Sequence, residues 1–142
     1  MAERSDHRER DPLLETTFDT LGKSDGRDVE GARIHVSGPT GFSEVRAVLQ
    51  PPEPGTSHFV ERIRSLQTDE SGGPGEALSL GSVDQGGELH VAFEFKRPDS
   101  RKAPSRDSGD VRVRLHLVNP NGEEWAKVVT VTVPPIPWVY SW

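Results

Sequence analysis

The residues of this chain whose types could do chemistry are five histidines, scattered carboxylates and two short glycine-containing motifs. Gly22-Lys23-Ser24 matches the end of a phosphate-binding loop, in which backbone N–H groups at a helix N-terminus cradle an anion. The first glycine of that motif would stand at position 17, which is Thr17, and Asp25-Gly26-Arg27-Asp28 follows where a helix should begin. The segment therefore reads as a loop. His35, His90 and His116 fall on the outward phase of alternating segments, but no two have His-x-His spacing, and a zinc site would need them to be neighbours in space. Asp19, Asp25, Asp28 and Glu30 miss the ligand spacing of a calcium-binding loop and read as a solvated acidic turn. No metal and no cofactor is expected.

Ser71-Gly72-Gly73-Pro74 matches the residues around the nucleophile of chymotrypsin-like proteases, but Glu70 and Asp69 replace the Asp and Gly that precede it there. A serine nucleophile needs a base within hydrogen-bond reach, and neither His35 nor His58 has the expected sequence setting. The motif reads as a turn, and the chain as a non-enzyme. Two groups of residues point instead to binding. Arg112 and Arg114 point outward with His116, and Arg62 and Arg64 take the outward phase if their segment is a strand. Were those two segments neighbours, four arginines would gather on one sheet face, suited to an anionic ligand or acidic partner. The alternative is surface pairing with Glu61, Glu123 and Glu124. The second group is Trp138, Tyr140 and Trp142, three rings at period 2 behind Pro134-Pro135-Ile136-Pro137. Those prolines enforce an extended spacer and should end the last strand. The rings then either dock on the chain's own domain or bind something else: a protein partner, a second copy, or a carbohydrate stacked on them.

Composition narrows the field further. At 142 residues the chain fits one domain, and its 32% apolar content is unevenly placed, sparse over residues 1–12 and dense in Val and Leu over residues 111–133. A net charge of −6 opposes binding to nucleic acid, whose phosphates would be repelled. With no cysteine there is no disulfide framework and no Cys-based zinc site. Residues 1–11 lack the apolar core of a signal peptide, and no stretch is long enough for a membrane span, so a soluble, cytoplasmic protein is expected.

The elements that must position these residues read as strands. Ile34 and Val36, then Val45, Ala47 and Leu49, alternate with polar neighbours between Gly and Pro breaks. Residues 57–67 have Phe59, Ile63 and Leu66 at helical spacing but a proline-rich approach that suits a strand; strand is the preferred reading. Residues 77–83 resume the pattern after Gly72-Gly73-Pro74-Gly75. Leu89, Val91, Phe93 and Phe95 form one apolar face, and Val111, Val113, Leu115 and Leu117 another. Asn119-Pro120-Asn121-Gly122 is a turn by its chemistry, and Trp125 to Val133 returns, with the Val128-Val129 doublet predicting a bulge. Leu89, Val91, Phe93, Phe95, Val111, Val113, Leu115 and Trp125 should share one core. Residues 1–12 and 98–109 are polar, lack apolar anchors and are expected to be mobile, and residues 22–31 to be irregular.

Residues 78–95, Leu78-Ser-Leu-Gly-Ser-Val followed by Asp-Gln-Gly-Gly-Glu-Leu-His-Val-Ala-Phe-Glu-Phe95, resemble the strand–turn–strand of bacterial immunoglobulin-like modules of the cell-adhesion-related type. The resemblance covers 18 of the 142 residues, about an eighth of the chain, and implies a scaffold or binding domain without an active site. Together these readings predict an all-β chain, an antiparallel immunoglobulin-like sandwich of about seven strands. A charged, largely irregular segment (1–28) would precede the sandwich (29–134), and a Pro/aromatic arm (135–142) would follow it. The function expected is protein binding, or an accessory role, through Trp138, Tyr140, Trp142 and the arginines Arg62, Arg64, Arg112 and Arg114; carbohydrate binding by the terminal aromatics is the alternative.

Overall fold

Alternation of apolar and polar residues becomes two antiparallel sheets in the computed structural model, which describes residues 12–38, 40–51, 60–95, 105–106, 109–134 and 136–137. In chain order the strands are β1 (Leu13–Ser24), β2 (Arg27–Ser37), β3 (Phe42–Leu49), β4 (Val60–Ser65), β5 (Ser71–Gly72), β6 (Ala77–Val83), β7 (Glu88–Phe95), β8 (Ser105–Arg106), β9 (Gly109–Val118), β10 (Glu124–Val133) and β11 (Ile136–Pro137). One sheet has the order β1-β2-β7-β4-β5, the other β10-β9-β3-β6, and β8 and β11 form a separate two-stranded ladder. There is no helix among the described residues. The chain is all-β, and the two sheets share one core, as in a β-sandwich.

The period of 2 decides what each strand contributes. Val111, Val113, Leu115 and Leu117 of β9 point inward with Val45, Ala47 and Leu49 of β3, and meet Ile34 and Val36 of β2, Ile63 of β4, and Leu89, Val91 and Phe93 of β7. Two aromatic contacts fill the space between: Phe42 meets Trp125 edge-on at 5.7 Å, and Phe18 of β1 lies 6.1 Å from Phe93. The expected core residues belong to this cluster, except that the side chain of Phe95 is outside the described set. Residues 60–65 form a strand, as preferred, because Val60, Ile63 and Ser65 all face the interior.

Strand β6 is the edge of the four-stranded sheet, and its outer side is closed by side chains from the turn after β4. The Thr68 hydroxyl donates to the Ser79 carbonyl at 2.6 Å, the Glu70 carboxylate accepts from the Ser79 N–H at 3.1 Å, and Gln67 Nε2 donates to the Leu80 carbonyl at 3.3 Å. Gln67 also accepts the His90 N–H at 2.7 Å, so one amide ties β6 to β7 across the two sheets. The buried Ser65 hydroxyl holds that turn by accepting the N–H groups of Gln67 (3.2 Å) and Thr68 (3.1 Å). Gln67→Ala should lower stability by about 1–2 kcal/mol, since it strands a β7 donor and a β6 acceptor together. The midpoint of urea unfolding should fall with an unchanged slope. At the opposite edge, the Thr16 hydroxyl of β1 donates to the Thr130 carbonyl of β10 at 3.0 Å.

Three expectations are corrected. Residues 13–28, expected to be largely irregular along with 29–31, form a long β1–β2 hairpin paired from Leu13↔Ser37 to Ser24↔Arg27, with one register shift between Thr20 and Gly22. Its two-residue turn has Asp25 at φ 53° and Gly26 at φ 77°, the doubly left-handed conformation that suits the twist of a hairpin. Gly22-Lys23-Ser24 is the end of β1, not a loop. The Val128-Val129 doublet makes no bulge: β10 pairs with β9 without a break from Glu124↔Val118 to Val133↔Gly109, and Val128 simply points outward. Strand β10 ends at Val133, as the prolines predict, and the segment then forms a separate short ladder, with Ile136↔Arg106 and Pro137↔Ser105, since a proline lacks the N–H but keeps its carbonyl acceptor. The expected turn at 119–122 is present, closed by the buried Asn119, whose side-chain carbonyl accepts the N–H groups of Asn121 (3.0 Å) and Glu123 (2.8 Å). The expected mobility of residues 1–12 and 98–109 falls almost entirely on residues outside the described ones.

Candidate functional site

The strand order places the expected arginines on two different surfaces. Strand β4 pairs with β7 and β5, while β9 pairs with β10 and β3. Arg62 and Arg64 therefore lie on the outer face of the five-stranded sheet, Arg112 and Arg114 on the outer face of the four-stranded sheet, and the four do not gather. The expectation of a single cluster assumed that β4 and β9 were neighbours, and neighbourhood between distant strands has no local signal.

On the five-stranded face three arginines are answered locally. Arg33 lies 3.0 Å from Asp19 and 3.6 Å from Glu88, Arg64 lies 3.0 Å from Asp69, and Arg62 donates to the Ser71 hydroxyl at 3.1 Å. The Asp19 carboxyl is held below the usual carboxylate range, first by the Thr20 N–H that it accepts at 2.8 Å and then by the Arg33 guanidinium. Ser71, in the motif that matches a protease nucleophile, thus has an arginine beside its hydroxyl. His35 and His90 are on this face as well, on the adjacent strands β2 and β7, with His90 3.3 Å from Glu88. His116 is on the other sheet. Among the described residues no group of three or more His, Asp or Glu side chains could hold a metal ion.

The four-stranded face is built differently. Register sets Val128, Arg114, Val48 and Ala77 in one row across β10, β9, β3 and β6, with Ala126, His116, Arg46 and Ser79 in the next. Strands about 4.8 Å apart make each row roughly 14 Å long. Arg46 is paired with Glu44 at 2.5 Å and His116 with Glu124 at 2.7 Å. Among the described residues Arg114 makes no hydrogen bond or ion pair. Beside it Val128 is 56% exposed, and Val48 is half-buried. Sequence reasoning found Arg112 and Arg114 but missed Arg46. Its outward phase in β3 was legible; its position next to His116 was not, because β3 and β9 lie far apart in the sequence.

The third region is the end of the sandwich from which the C-terminal arm leaves. Strand β10 ends at Val133 opposite Gly109 of β9, and β11 pairs with β8 inside the connection from β7 to β9. That connection, residues 96–108, carries Lys96, Arg97, Arg101, Lys102 and Arg106 against Asp99 and Asp107. The root of the arm is therefore paired with Ser105 and Arg106 of that connection. Trp138, Tyr140 and Trp142 lie outside the described residues. No helix among the described residues is long and apolar enough to cross a membrane. Set against protein-family models, curated proteins and solved structures, the chain has no match in any of the three.

Proposed function

We propose that this chain is a non-enzymatic protein-binding or accessory module, with an immunoglobulin-like arrangement of strands, that docks through its C-terminal arm. The observation that carries the reading is the β8–β11 ladder, which takes Ile136 and Pro137 away from both large sheets and pairs them with Ser105 and Arg106. If the residues behind that root are extended, period 2 would put Trp138, Tyr140 and Trp142 on one side, with Val139 and Ser141 on the other. A segment of this pattern suits addition to the sheet edge of a partner, where backbone groups bond and rings fill pockets. The immunoglobulin-like reading is supported by the sheet orders. Strands β1, β2, β7 and β4 occupy the positions of an A-B-E-D sheet, and β10, β9, β3 and β6 those of a G-F-C-C′ sheet. The chain departs from that pattern by visiting the D position (β4) before the C′ position (β6).

Deleting residues 138–142 tests the docking. The melting temperature of the monomer should be unchanged at every protein concentration. A photo-crosslinking residue at position 138 should capture a partner protein or a second copy, and the purified partner should bind the truncated chain at least about thirtyfold more weakly, the loss of one pocket-filling aromatic at roughly 2 kcal/mol. A truncated monomer that melts earlier would mean that the rings dock on their own domain. Loss of binding to a glycan in place of a protein would move the function to carbohydrate recognition. No change in stability or association would remove the proposal.

A further inference from the structure

The geometry points to a second, separate docking surface: the outer face of the four-stranded sheet binds an acidic protein segment, with Arg114 as its ion-pairing anchor and Val128 and Val48 as its apolar contacts. Three observations carry it. Arg114 is exposed in the middle of a strand and pairs in register with Val128 on one side and Val48 on the other, so a guanidinium stands between two valines on one line across the sheet. Among the described residues it has no ion pair or hydrogen bond, whereas Arg33, Arg62 and Arg64 of the opposite face each have a partner. Arg112 precedes it by one outward position on β9, while the neighbouring Arg46 and His116 are engaged by Glu44 and Glu124, which leaves Arg114 as the cation open to a ligand in its row. A basic centre on a chain of net charge −6 is complementary to an acidic ligand.

The same arrangement selects against other occupants. A second copy meeting this face about a two-fold axis would set Arg114 near its own symmetry mate, and like charges at close range oppose that pairing. Strand addition is disfavoured at both edges of this sheet, since Thr16 engages the Thr130 carbonyl of β10, and Thr68, Glu70 and Gln67 engage β6. The ligand must lie across the strands, over the Val128–Arg114–Val48–Ala77 row. A segment with carboxylates flanking an aliphatic side chain fits: the carboxylates reach the Arg114 fork, which offers paired N–H donors, and the aliphatic group covers a valine.

The test uses the full chain, isotopically labelled, titrated with a capped hexapeptide of alternating Glu and Leu and followed by backbone amide shifts. Saturable shifts are expected at Val48, Arg112, Arg114 and Val128. R114E should weaken binding at least tenfold, and V128S severalfold, with circular dichroism unchanged in both. Deleting residues 138–142 should leave this titration as it is, which separates failure here from failure of the arm. A peptide of alternating Glu and Ser should bind at least fivefold more weakly than the Leu peptide. The proposal is overturned by an absence of saturable shifts, by shifts that map to another face, by equal binding of R114E, or by equal binding of the Ser peptide. A short DNA duplex that takes this face more tightly than the peptide would overturn it too.

Discussion

Replacing Phe93 with alanine should lower stability by about 3–5 kcal/mol, which is on the scale of the whole margin of a domain this size. Phe93 is 5% exposed, points inward from β7, the strand paired on both sides by β2 and β4, and its ring lies 6.1 Å from that of Phe18 on β1. Truncation removes the apolar contacts and leaves a cavity that two hydrogen-bonded sheets cannot close, since their separation is fixed by the neighbouring pairs of side chains. Phe18 would lose its partner, so β1 should loosen along with the core. Equilibrium unfolding in urea measures the effect: the midpoint should fall steeply while the slope stays the same. A variant that unfolds at the parental midpoint would mean that β7 presents its other face to the interior.

A single methyl group at Gly31 should do comparable damage for a different reason. Gly31 pairs with Ala92 in the β2–β7 ladder, and a Cβ there would run into the Val91 carbonyl oxygen while standing 2.8 Å from the Ala92 Cα. These are backbone atoms of a central strand, with no rotamer to change and no flexible end to move aside. The strands must part, and the ladder from Gly31↔Ala92 to His35↔Glu88 is what they part from. Gly31→Ala should therefore cost at least about 3 kcal/mol, at the upper end of what overpacking does. Hydrogen exchange localises it: amides of β2 and β7 should lose protection, while those of the β9–β10 hairpin, on the other sheet, keep theirs. Uniform protection in the variant would show that the two strands can move apart at little cost.

What could be read from the sequence divides along a physical line. Segments such as Val111 to Leu117, whose inward residues are all large and apolar, announce both their strand and their buried face. The turn at Asn119 was equally legible, because its hydrogen bonds are made within five residues. Strand β1 was not: its inward residues are Leu14, Thr16 and Phe18, only partly buried at the sheet edge, so the alternation is faint. Asp25-Gly26 is a strong hairpin signal, but the polar residues around it read as loop because this part of the hairpin is exposed on nearly every side chain. The Val128-Val129 doublet misled in the other direction. An outward valine on an edge strand looks like a break in alternation, although the backbone is regular. The arginines mark the deeper limit: phase along a strand follows from period 2, but which strands are neighbours depends on pairings between segments tens of residues apart.

The bond from Thr16 to Thr130 joins residues 114 positions apart, and the ladders β2–β7 and β3–β9 also join strands far apart in the chain. Only the β1–β2 and β9–β10 hairpins, and the short β4–β5 pair, can zip locally. Every other ladder requires a large loop to close before any burial compensates the lost entropy. Acquisition of this structure is therefore a matter of search more than of local propensity, in the slow, millisecond-to-second regime of sandwich topologies. The half-assembled chain meanwhile displays the unpaired flanks of β2, β3, β4, β7 and β9, the five strands that are paired on both sides at the end.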